Sequence, residues 1–587
     1  MKAISWFPSW CGELRGYKFN FFRDDLFAAI AVSLMTIPQS IAYSLLAGLP
    51  PMAGIFSAIF GTIFTAGFGS SRSLISGPST GTAILIQTSI ADILHTYYEH
   101  VPAVEQSGLV LSILMQIVLV MGVLQIAAAM CNVSKLLQFV SRPVILGYFG
   151  GITVAIAVSQ LFAFTGIPNK ANDDPILYKA ADWFFHMHLV SWPTLLVGGV
   201  SLLLYLFLRH KYKSLPQALI MIIVAAVLSY WLNIWLGEGS VATLRDLQLP
   251  QEPWPQFTLP VFSLKLLNQA FPAALAISLL SILEVFSISR SFAAKTGQEV
   301  HVNQDIFGVG LANFFLAFIS GAMPSSGSVT RTTLNVRLQA KSRLAAILSG
   351  ILTGVILFFC WPFVRDIPFA AVAALLIATV HTLMDWKDIK LSFRATRSDA
   401  LVFILTFVAC LIFSLDMAFF IGIVMSIGTY LKRSSTPHLV EYAFNSKGRL
   451  MVVTPTEDVH RKVRIIGIGG ELYFAAADVI QSALLTIAKD PNVQALVLRL
   501  NNVYHMDASM CLAILRLHDT LKNSGRYLVI SGLTEEVWHV FHRTGLVKEI
   551  GLDNLYFTDE SNPQFSTWKA CLRAQEIIHK HAFSTSI

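Results

Sequence analysis

Charged side chains are scarce in this sequence. Asp, Glu, Lys and Arg make up 13% of its 587 residues, whereas 55% of the residues are hydrophobic. Soluble globular proteins average about 25% charged residues, so this composition excludes an ordinary soluble enzyme. Apolar runs long enough to cross a bilayer recur between Asp24 and Tyr430. Dividing this region by a helix-plus-loop length predicts roughly 12–14 membrane spans.

Motifs for enzymatic or metal chemistry are also missing. The six cysteines show neither close pairing nor metal spacing, which argues against a disulfide framework and a zinc site. Gly467–Gly470 lacks the Lys-Ser/Thr of a phosphate loop, and His186 and His188 have no further ligands near them in the sequence. Catalytic triads and paired catalytic carboxylates are not grouped anywhere. We therefore expect neither an enzyme nor a bound metal or cofactor.

A formal net charge of +7 could suggest nucleic-acid binding. In a membrane protein, however, the location of Lys and Arg along the chain is more informative than their total. When fourteen spans are drawn, the basic clusters fall on one side of the membrane, and the other side keeps only Lys170, Lys179, Arg245, Lys265 and Arg365. The positive-inside rule then puts both chain ends in the cytoplasm. The residues before Asp24 do not read as a signal peptide, so the first span is expected to direct insertion. We expect a multi-pass integral protein of the cytoplasmic or plasma membrane, surrounded by lipid.

The composition changes sharply after Lys432. We expect residues 1–23 to form a cytoplasmic N-terminal segment, residues 24–432 a transmembrane domain and residues 433–587 a soluble cytoplasmic domain. Short strand-like and helix-like segments alternate in the last of these, which predicts a small α/β domain. The segments are Val463–Ile468, Ala495–Leu500, Ala508–Asn523, Tyr527–Ser531 and Glu535–Thr544.

Two short polar segments, Pro78–Thr82 and Pro324–Ser328, interrupt the apolar sequence, and they nearly repeat one another. They begin at Pro78 and Pro324, 246 residues apart. In hydrocarbon every backbone donor and acceptor needs a partner, so such breaks are tolerable only inside protein or beside a watery cavity. Pro38-Gln39 lies about 39 residues before the first polar segment, and Glu284 lies about 40 residues before the second. Because spans seven apart run in opposite directions, this match predicts a seven-plus-seven inverted repeat whose broken helices meet at a mid-membrane site.

Each polar segment is expected to begin a helix, at Ser79-Thr80-Gly81 and at Ser326-Gly327-Ser328. Unpaired N–H groups at two helix starts polarise the space between them positively. Arg331, inside the second helix, adds a full positive charge, so we expect a small anion as the cargo. Gln39 and Tyr43, one helical turn apart, would supply a donor and an aromatic wall. Each residue alone is also compatible with N-capping or helix packing, and it is their occurrence together that indicates a site.

Glu284 is the only ionisable residue between Lys265 and Arg290, inside an apolar span. An ionised carboxylate is costly there, so the group is suited to take up and release a proton, which a proton-coupled transporter needs. The alternative is a carboxyl group that caps unwound backbone without titrating in the cycle. We favour the coupling role.

Three patterns in the sequence carry a family resemblance. In the first half they are Asp24–Pro51, Gly69–Arg72 and Ser76–Pro78. In the second half they are Glu284, Ser289–Ala293, Asn303 and Ser326–Arg331. In the soluble part they are Leu498–Leu500 and Met506–Ser509. These patterns closely resemble the sulfate permease (SulP) family of anion transporters and its C-terminal STAS domain, over nearly the whole chain.

The resemblance implies a mostly α membrane protein of fourteen spans, a seven-plus-seven inverted repeat, followed by a small cytoplasmic α/β STAS domain. Spans one to four and eight to eleven would form a core that moves against a gate of the remaining spans. The cargo of such proteins is sulfate, bicarbonate, chloride or a dicarboxylate, bound between the third- and tenth-span helix starts. A glutamate at position 284 is similar to the proton-coupled members rather than to the sodium-coupled bicarbonate carriers. The matching binding residues are Gln39, Tyr43, Ser79, Thr80, Gly81, Ser328, Val329, Thr330 and Arg331, to which the repeat adds Ser326 and Gly327.

The STAS part departs from one known pattern. In soluble anti-sigma-factor antagonists with this fold, the residue after the matching aspartate is a phosphorylated serine, whereas here Ala508 follows Asp507. A phosphorylation switch at this position is chemically impossible, and Ser509 is a weak substitute. Dimer contacts, trafficking or binding of a cytoplasmic protein are left as roles for the domain, and we expect a homodimer.

These observations predict a secondary active transporter of a small anion, coupled to protons and working by elevator-like alternating access. Two alternatives stay open on the sequence. One is a nucleobase or xanthine permease of the same architecture, against which Arg331 and the STAS tail count. The other is a membrane-anchored STAS regulator that does not transport.

Overall fold

The computed structural model describes residues 17–98, 100–134, 141–168, 176–212, 216–237, 239–247, 254–261, 263–380, 384, 386–434, 438–445, 448–453, 462–472, 474–559 and 562–584. Most of the expected N-terminal segment 1–23 lies outside these residues, and so do residues 435–437, near the start of the expected soluble domain. The chain divides into two compact units, Met1–Ser426 and Ile427–Ile587.

The first unit is helical because its side chains are mostly apolar, and in hydrocarbon a helix satisfies its own backbone groups. The described residues up to Ser434 form sixteen helices. They are α1 Phe19–Leu46, α2 Pro51–Phe68, α3 Thr80–Tyr98, α4 Ala103–Met130, α5 Arg142–Thr165, α6 Ile176–Phe185, α7 Trp192–Lys211, α8 Gln217–Leu236, α9 Leu264–Thr296, α10 Val302–Leu316, α11 Val329–Arg337, α12 Leu344–Val364, α13 Phe369–Val380, α14 Trp386–Ala395, α15 Arg397–Ile412 and α16 Leu415–Ser434.

Fourteen of these helices correspond to the expected spans. Nine of the described helices are long and apolar enough to cross a membrane. Five more, α3, α10, α11, α13 and α15, are shorter or more polar, and α3 and α11 are the two that follow the polar breaks. The remaining two, α6 and α14, have only 10 residues each and are amphipathic.

Two groups of helices pack within this unit. In the first group α10 packs against α2 and α4, α1 packs against α12, and α9 packs against α3 and α4. In the second group α5 packs against α13 and α15, and α7 packs against α8 and α13. The first group contains the helices that the resemblance assigns to the core, and the second those of the gate.

Glycine allows the closest helix contacts in both groups. A Cβ atom on Gly122 of α4 would lie 2.5 Å from the backbone nitrogen of Phe314 in α10. A Cβ atom on Gly151 of α5 would lie 2.2 Å from the Cβ of Cys410 in α15. Small residues at such crossings let helix backbones approach closely, which is how membrane helices gain packing energy without a hydrophobic drive.

The two polar breaks are extended and pair with each other. Strand β1 (Ser76–Gly77) precedes α3, and strand β2 (Ser326–Gly327) precedes α11. They are antiparallel, with Ser76 opposite Gly327 and Gly77 opposite Ser326. The pairing satisfies backbone groups that the interrupted helices leave free. Its antiparallel sense agrees with an inverted relation between the two halves.

The second unit is an α/β domain around one six-stranded sheet in the order β4-β3-β5-β6-β7-β8. Strands β5 to β8 run parallel, while β3 is antiparallel to β4 and β5. The strands are β3 His438–Phe444, β4 Leu450–Val452, β5 Val463–Leu472, β6 Ala495–Met506, β7 Tyr527–Leu533 and β8 Leu555–Phe557. The helices are α17 Phe474–Ala488, α18 Ala508–Asn523, α19 Glu535–Thr544, α20 Leu546–Ile550 and α21 Phe565–Ser584. The predicted alternation of strands and helices in this domain is confirmed.

Alternating side chains of this sheet build two apolar layers, because successive residues of a strand point to opposite faces. Leu496 and Leu498 of β6 join the layer that contains Phe541 of α19. Ala495 and Val497 of the same strand join the layer covered by α21. A central strand buried on both faces explains the continuous apolar run at its start.

We predict that residues 437–587 fold when expressed alone and that Phe541→Ala lowers their free energy of unfolding by about 3–5 kcal/mol. Phe541 is fully buried, so truncation leaves a cavity. The matched control is Leu512→Ala at a 54% exposed position, which we expect to stay within about 0.5 kcal/mol of the parent. Urea denaturation followed by circular dichroism measures both. Equal losses in the two variants would contradict the layer assignment.

Candidate functional site

A cavity of about 140 Å³ lies at the starts of α3 and α11. It has room for several water molecules, or for a small ion. Core helices form one side, and α5, α13 and α16 form the other. Ten of the twelve residues predicted for the site line it: Gln39, Tyr43, Ser79, Thr80, Gly81, Glu284, Gly327, Ser328, Val329 and Thr330. Ser326 and Arg331 lie behind its wall, with contacts described below.

Both helix starts are capped by serine. The Ser79 hydroxyl accepts a hydrogen bond from the Thr82 backbone N–H at 3.2 Å. The Ser328 hydroxyl accepts one from the Arg331 backbone N–H at 3.5 Å. Helices leave their first N–H groups without intrahelical acceptors, and two such starts converge on this cavity. The residues that carry these N–H groups and line the cavity are Thr80, Gly81, Val329 and Thr330.

Glu284 of α9 connects the two breaks. The Ser326 hydroxyl donates to Glu284 Oε2 at 2.5 Å, and the Ser79 hydroxyl donates to Glu284 Oε1 at 3.3 Å. A side chain on Gly81 would start 3.1 Å from Glu284 Oε1, so glycine at that position lets the carboxyl group approach the start of α3. The carboxyl group therefore contacts both breaks at once.

Arg331 crosslinks the breaks from behind the cavity. Its side chain is fully buried, and its Nη2 donates to the Pro78 carbonyl at 2.7 Å. A Cβ atom on Gly77, whose φ is +140°, would lie 2.5 Å from Nη1 of Arg331. Nε and Nη1 of this guanidinium have no hydrogen-bond partner among the described residues. The guanidinium thus fixes the first break and leaves its positive charge underneath the two helix starts.

The two predicted residues of α1 lie on the cavity wall. Gln39 is 3% exposed and Tyr43 is 7% exposed. Gln39 Oε1 has no hydrogen-bond partner within the described part of the chain. The hydroxyl of Tyr43 lies close to Thr80, at the start of α3. Both side chains therefore form the α1 side of the cavity, and that of Tyr43 reaches the start of α3.

A buried amide network supports the second break, and the sequence reasoning missed it. Asn313 of α10 accepts the Ser325 backbone N–H at 2.6 Å and donates to the Ser325 carbonyl at 2.9 Å. It also donates to Gln125 Oε1 at 2.7 Å, and Gln125 donates to the Ser281 hydroxyl at 2.9 Å. The sequence did contain a signal for it, namely the amides of Gln125 and Asn313 inside apolar spans. A buried amide is costly there unless it has a hydrogen-bond partner.

Two buried carboxylates anchor the connections between the halves. Asp25 of α1 accepts the backbone N–H of Lys341 at 2.6 Å and the hydroxyl of Ser342 at 2.6 Å. Asp305 of α10 accepts the backbone N–H of Ser70 at 2.6 Å and the hydroxyl of Ser289 at 2.7 Å. Each carboxylate joins a helix of one half to a loop of the other.

Gate helices supply an aromatic wall that the sequence did not reveal. Tyr148 and Phe149 of α5 and Phe419 of α16 line the cavity, and the rings of Tyr148 and Phe419 lie 5.0 Å apart between centroids. These residues belong to apolar spans in which aromatic side chains are ordinary, so their positions gave no separate signal. Only the positions of α5 and α16 beside the core bring them to the half-helix starts.

Two helix N-termini that converge on one cavity between two groups of spanning helices, with a carboxyl group that bridges both breaks, are the arrangement of a membrane transporter of anions. The family model described as the sulfate permease family matches residues 22–406, and the STAS domain model matches residues 452–561. The chain belongs to the sulfate permease family, and it is a transporter rather than an enzyme.

Curated relatives align along almost the whole chain. The chain is 27% identical over 584 residues to sulfate transporter 4.1, chloroplastic, of Arabidopsis thaliana, covering 94% of this chain and 82% of the relative. It is 25% identical to the putative sulfate transporter YvdB of Bacillus subtilis, covering 93% of this chain and 98% of the relative.

Solved structures share the fold. The murine solute carrier 26 family member A9 anion transporter, in the inward-facing state, is 18% identical and has a TM-score of 0.83, with 97% of this chain and 94% of that chain covered. The transmembrane domain of the cyanobacterial bicarbonate transporter BicA has a TM-score of 0.55, with 70% of this chain and 99% of that chain covered. The expected mostly α membrane fold with a C-terminal STAS domain is confirmed.

We predict that Asn313→Ala lowers the melting temperature of the detergent-solubilised protein by several degrees. The substitution leaves the N–H and carbonyl of Ser325 without their partner, and each unsatisfied buried group costs about 1–3 kcal/mol. Asn303→Ala is the control, because Asn303 also lies on α10 but is half-buried and donates to Asn132 Oδ1 at 2.8 Å. Fluorescence-detected melting compares the two. Equal shifts would mean that the Asn313 network does not hold the break.

Proposed function

We propose that the protein is a secondary active transporter that moves a small divalent or monovalent anion, with sulfate as the first candidate, together with protons. The observation that carries the proposal is the meeting of two helix starts at one cavity, with Glu284 hydrogen-bonded to a hydroxyl group from each break. Curated relatives along the full length are named sulfate transporters, which supports sulfate over bicarbonate or a dicarboxylate.

The binding site in this proposal consists of the helix starts and their supports. The N–H groups of Thr80, Gly81, Val329 and Thr330 donate to the anion, as backbone donors do at other helix N-termini. Arg331 acts through its charge from behind the wall rather than through a direct hydrogen bond. Gln39 and Tyr43 close the site from α1. No cofactor takes part in this proposal.

Proton coupling is assigned to Glu284. When the carboxyl group is ionised, its negative charge opposes an anion at the helix starts, and the hydroxyl groups of Ser79 and Ser326 compensate only part of that charge. Protonation removes the repulsion, so anion and proton favour each other's binding, as linkage requires. A gradient of protons can then drive accumulation of the anion.

The movement in this proposal is elevator-like. Both half-helices and Glu284 belong to the core, whereas the opposite cavity wall, with Tyr148 and Phe419, belongs to the gate. A rigid core that slides along an aromatic gate surface carries its site from one side of the membrane to the other. The polar links of Asp25 and Asp305 within the core are suited to keeping it rigid.

Orientation and assembly complete the proposal. The distribution of Lys and Arg supports cytoplasmic termini and a location in the cytoplasmic or plasma membrane. We propose a homodimer in which the STAS domain, residues 433–587, serves subunit contacts or binds a cytoplasmic protein. The membrane part then comprises residues 24–432. Uptake of labelled sulfate, bicarbonate and dicarboxylates into proteoliposomes tests the cargo, and absence of uptake for every anion would overturn the proposal.

We predict that Glu284→Gln abolishes proton-driven accumulation of sulfate while passive anion exchange survives. The amide keeps the shape of the carboxyl group but does not titrate. Accumulation is measured in proteoliposomes under an imposed pH gradient, and exchange is measured at equal pH on both sides. Full pH-driven accumulation by the variant would eliminate Glu284 as the coupling residue.

We predict that Arg331→Ala weakens sulfate binding more than Thr330→Ala does. Loss of a charge near a low-dielectric site costs on the order of 2 kcal/mol, or about 30-fold in affinity. Loss of one neutral hydrogen bond costs about 1 kcal/mol, or about fivefold. Calorimetry on the purified protein compares the two, with Arg331→Lys as a variant that keeps the charge. Equal losses in the two alanine variants would mean that the Arg331 charge does not act on the anion.

A further inference from the structure

A second, larger cavity lies at the other end of α3. Its volume is about 350 Å³, and it lies between α3 of the core and three elements: α5, α6 and the junction of α15 with α16. Its walls carry the polar side chains of Gln87, Asp92, His95, Ser159 and Lys179. With the proposed orientation, α3 runs from the half-helix break toward the outside, so this cavity faces the external medium.

One face of α3 connects the two cavities. Gly81 lines the cavity at the half-helices, while Ile84, Gln87, Ala91 and His95 line the larger one. Spacings of three and four residues put these positions on one face of a helix. Gly81 and Ile84 are separated by about 4.5 Å of helix rise, so a barrier of about one turn divides the two spaces. The carboxyl group of Glu284 lies 3.1 Å from the position of a Cβ on Gly81, at the inner side of this barrier.

The side chains of the larger cavity suit protons better than anions. Asp92 and His95 are solvent-exposed on successive turns of α3. The charged groups around Asp92 are His95 on its own helix, Lys179 from α6 and Asp416 from α16, and α5 adds the uncharged Ser159. Asp416 does not line the cavity, and the charges of Asp92 and Lys179 oppose one another, so the lining carries no excess positive charge that would retain an anion. A carboxylate and an imidazole on successive turns of α3 are side chains that can accept and donate protons.

We propose that this cavity is the outer proton-uptake site of the transporter. Asp92 and His95 take protons from the external medium and pass them through water in the cavity toward Glu284, along the face of α3. The proton that Asp92 or His95 releases is the one that the Glu284 carboxylate accepts when the barrier at Ile84 opens. This inference rests on the proposed proton coupling at Glu284. The apolar turn at Ile84 keeps the path closed between transfers, so protons do not leak without anion.

The test uses the full-length protein with Asp92→Asn and His95→Gln combined, in right-side-out and inverted vesicles. We expect proton-driven sulfate uptake to fall about tenfold when the acidic solution faces the larger cavity, and to change little when it faces the opposite side. Sulfate exchange at equal pH is expected to stay unchanged, because neither residue belongs to the binding cavity. Asp92→Glu keeps a titrating carboxyl group and should retain the uptake of the parent.

The matched control is Asp182→Asn with His186→Gln. Asp182 of α6 and His186, directly after that helix, are both half-buried, with His186 Nδ1 3.1 Å from Asp182 Oδ1, and neither residue lines the larger cavity. We expect the control to behave as the parent in every assay. Melting curves of all variants verify that they are folded to the same extent.

Three results would overturn the inference, and they are distinguishable. Normal proton-driven uptake by the Asp92/His95 variant, with uptake lost in Glu284→Gln, would reject the outer site and leave the coupling role of Glu284 intact. An equal loss of exchange and of proton-driven uptake would show that Asp92 and His95 serve structure or anion passage instead. A parent protein that exchanges sulfate but shows no proton-driven uptake would reject the coupling proposal and this inference together.

Discussion

The membrane part of this protein depends on how two helices can be interrupted at mid-membrane. Each break exposes backbone donors and acceptors in a place where water cannot satisfy them freely. Strands β1 and β2 satisfy part of each other's backbone, and Thr62, Asn313 and Arg331 bind carbonyl groups next to the breaks. The N–H groups that remain belong to the first turns of α3 and α11. The polarity of the cavity thus follows from which backbone groups are hydrogen-bonded at the breaks and which are left at the helix starts.

This constraint also explains the division of the helices. The core must hold its breaks in register, and it does so with polar contacts that cross between the halves, such as those of Asp25 and Asp305. The gate surface at the cavity consists of Ile145, Tyr148, Phe149, Thr379 and Phe419, which are mostly apolar or aromatic. Polar networks are directional and specify one arrangement, whereas apolar surfaces tolerate sliding. A rigid core against a smoother gate is the arrangement that an elevator movement needs.

The STAS domain has Asp507 at the position of the matching aspartate, but Ala508 follows it in place of a serine that could be phosphorylated. Asp507 accepts the Met510 backbone N–H at 3.0 Å and so caps α18. Ala508, the first residue of that helix, has no hydroxyl group to modify. The aspartate therefore has a structural role that does not require phosphorylation.

The mostly helical membrane fold, the STAS domain and ten of the residues that line the cavity were predictable from the sequence. These follow from local signals: apolar length, Pro/Gly/Ser interruptions, strand and helix periodicity, and the patterns around Glu284 and Arg331. Helices α18 and α19 begin and end where the sequence predicted, because their caps and periodicity are local. The sequence could not show that Arg331 points behind the cavity to the Pro78 carbonyl, or that Asn313 holds Ser325. Nor could it place Tyr148 and Phe419 at the site, because these residues lie on helices that are distant in the sequence from the two breaks. Those facts depend on which faces of distant helices meet, and only tertiary packing decides that.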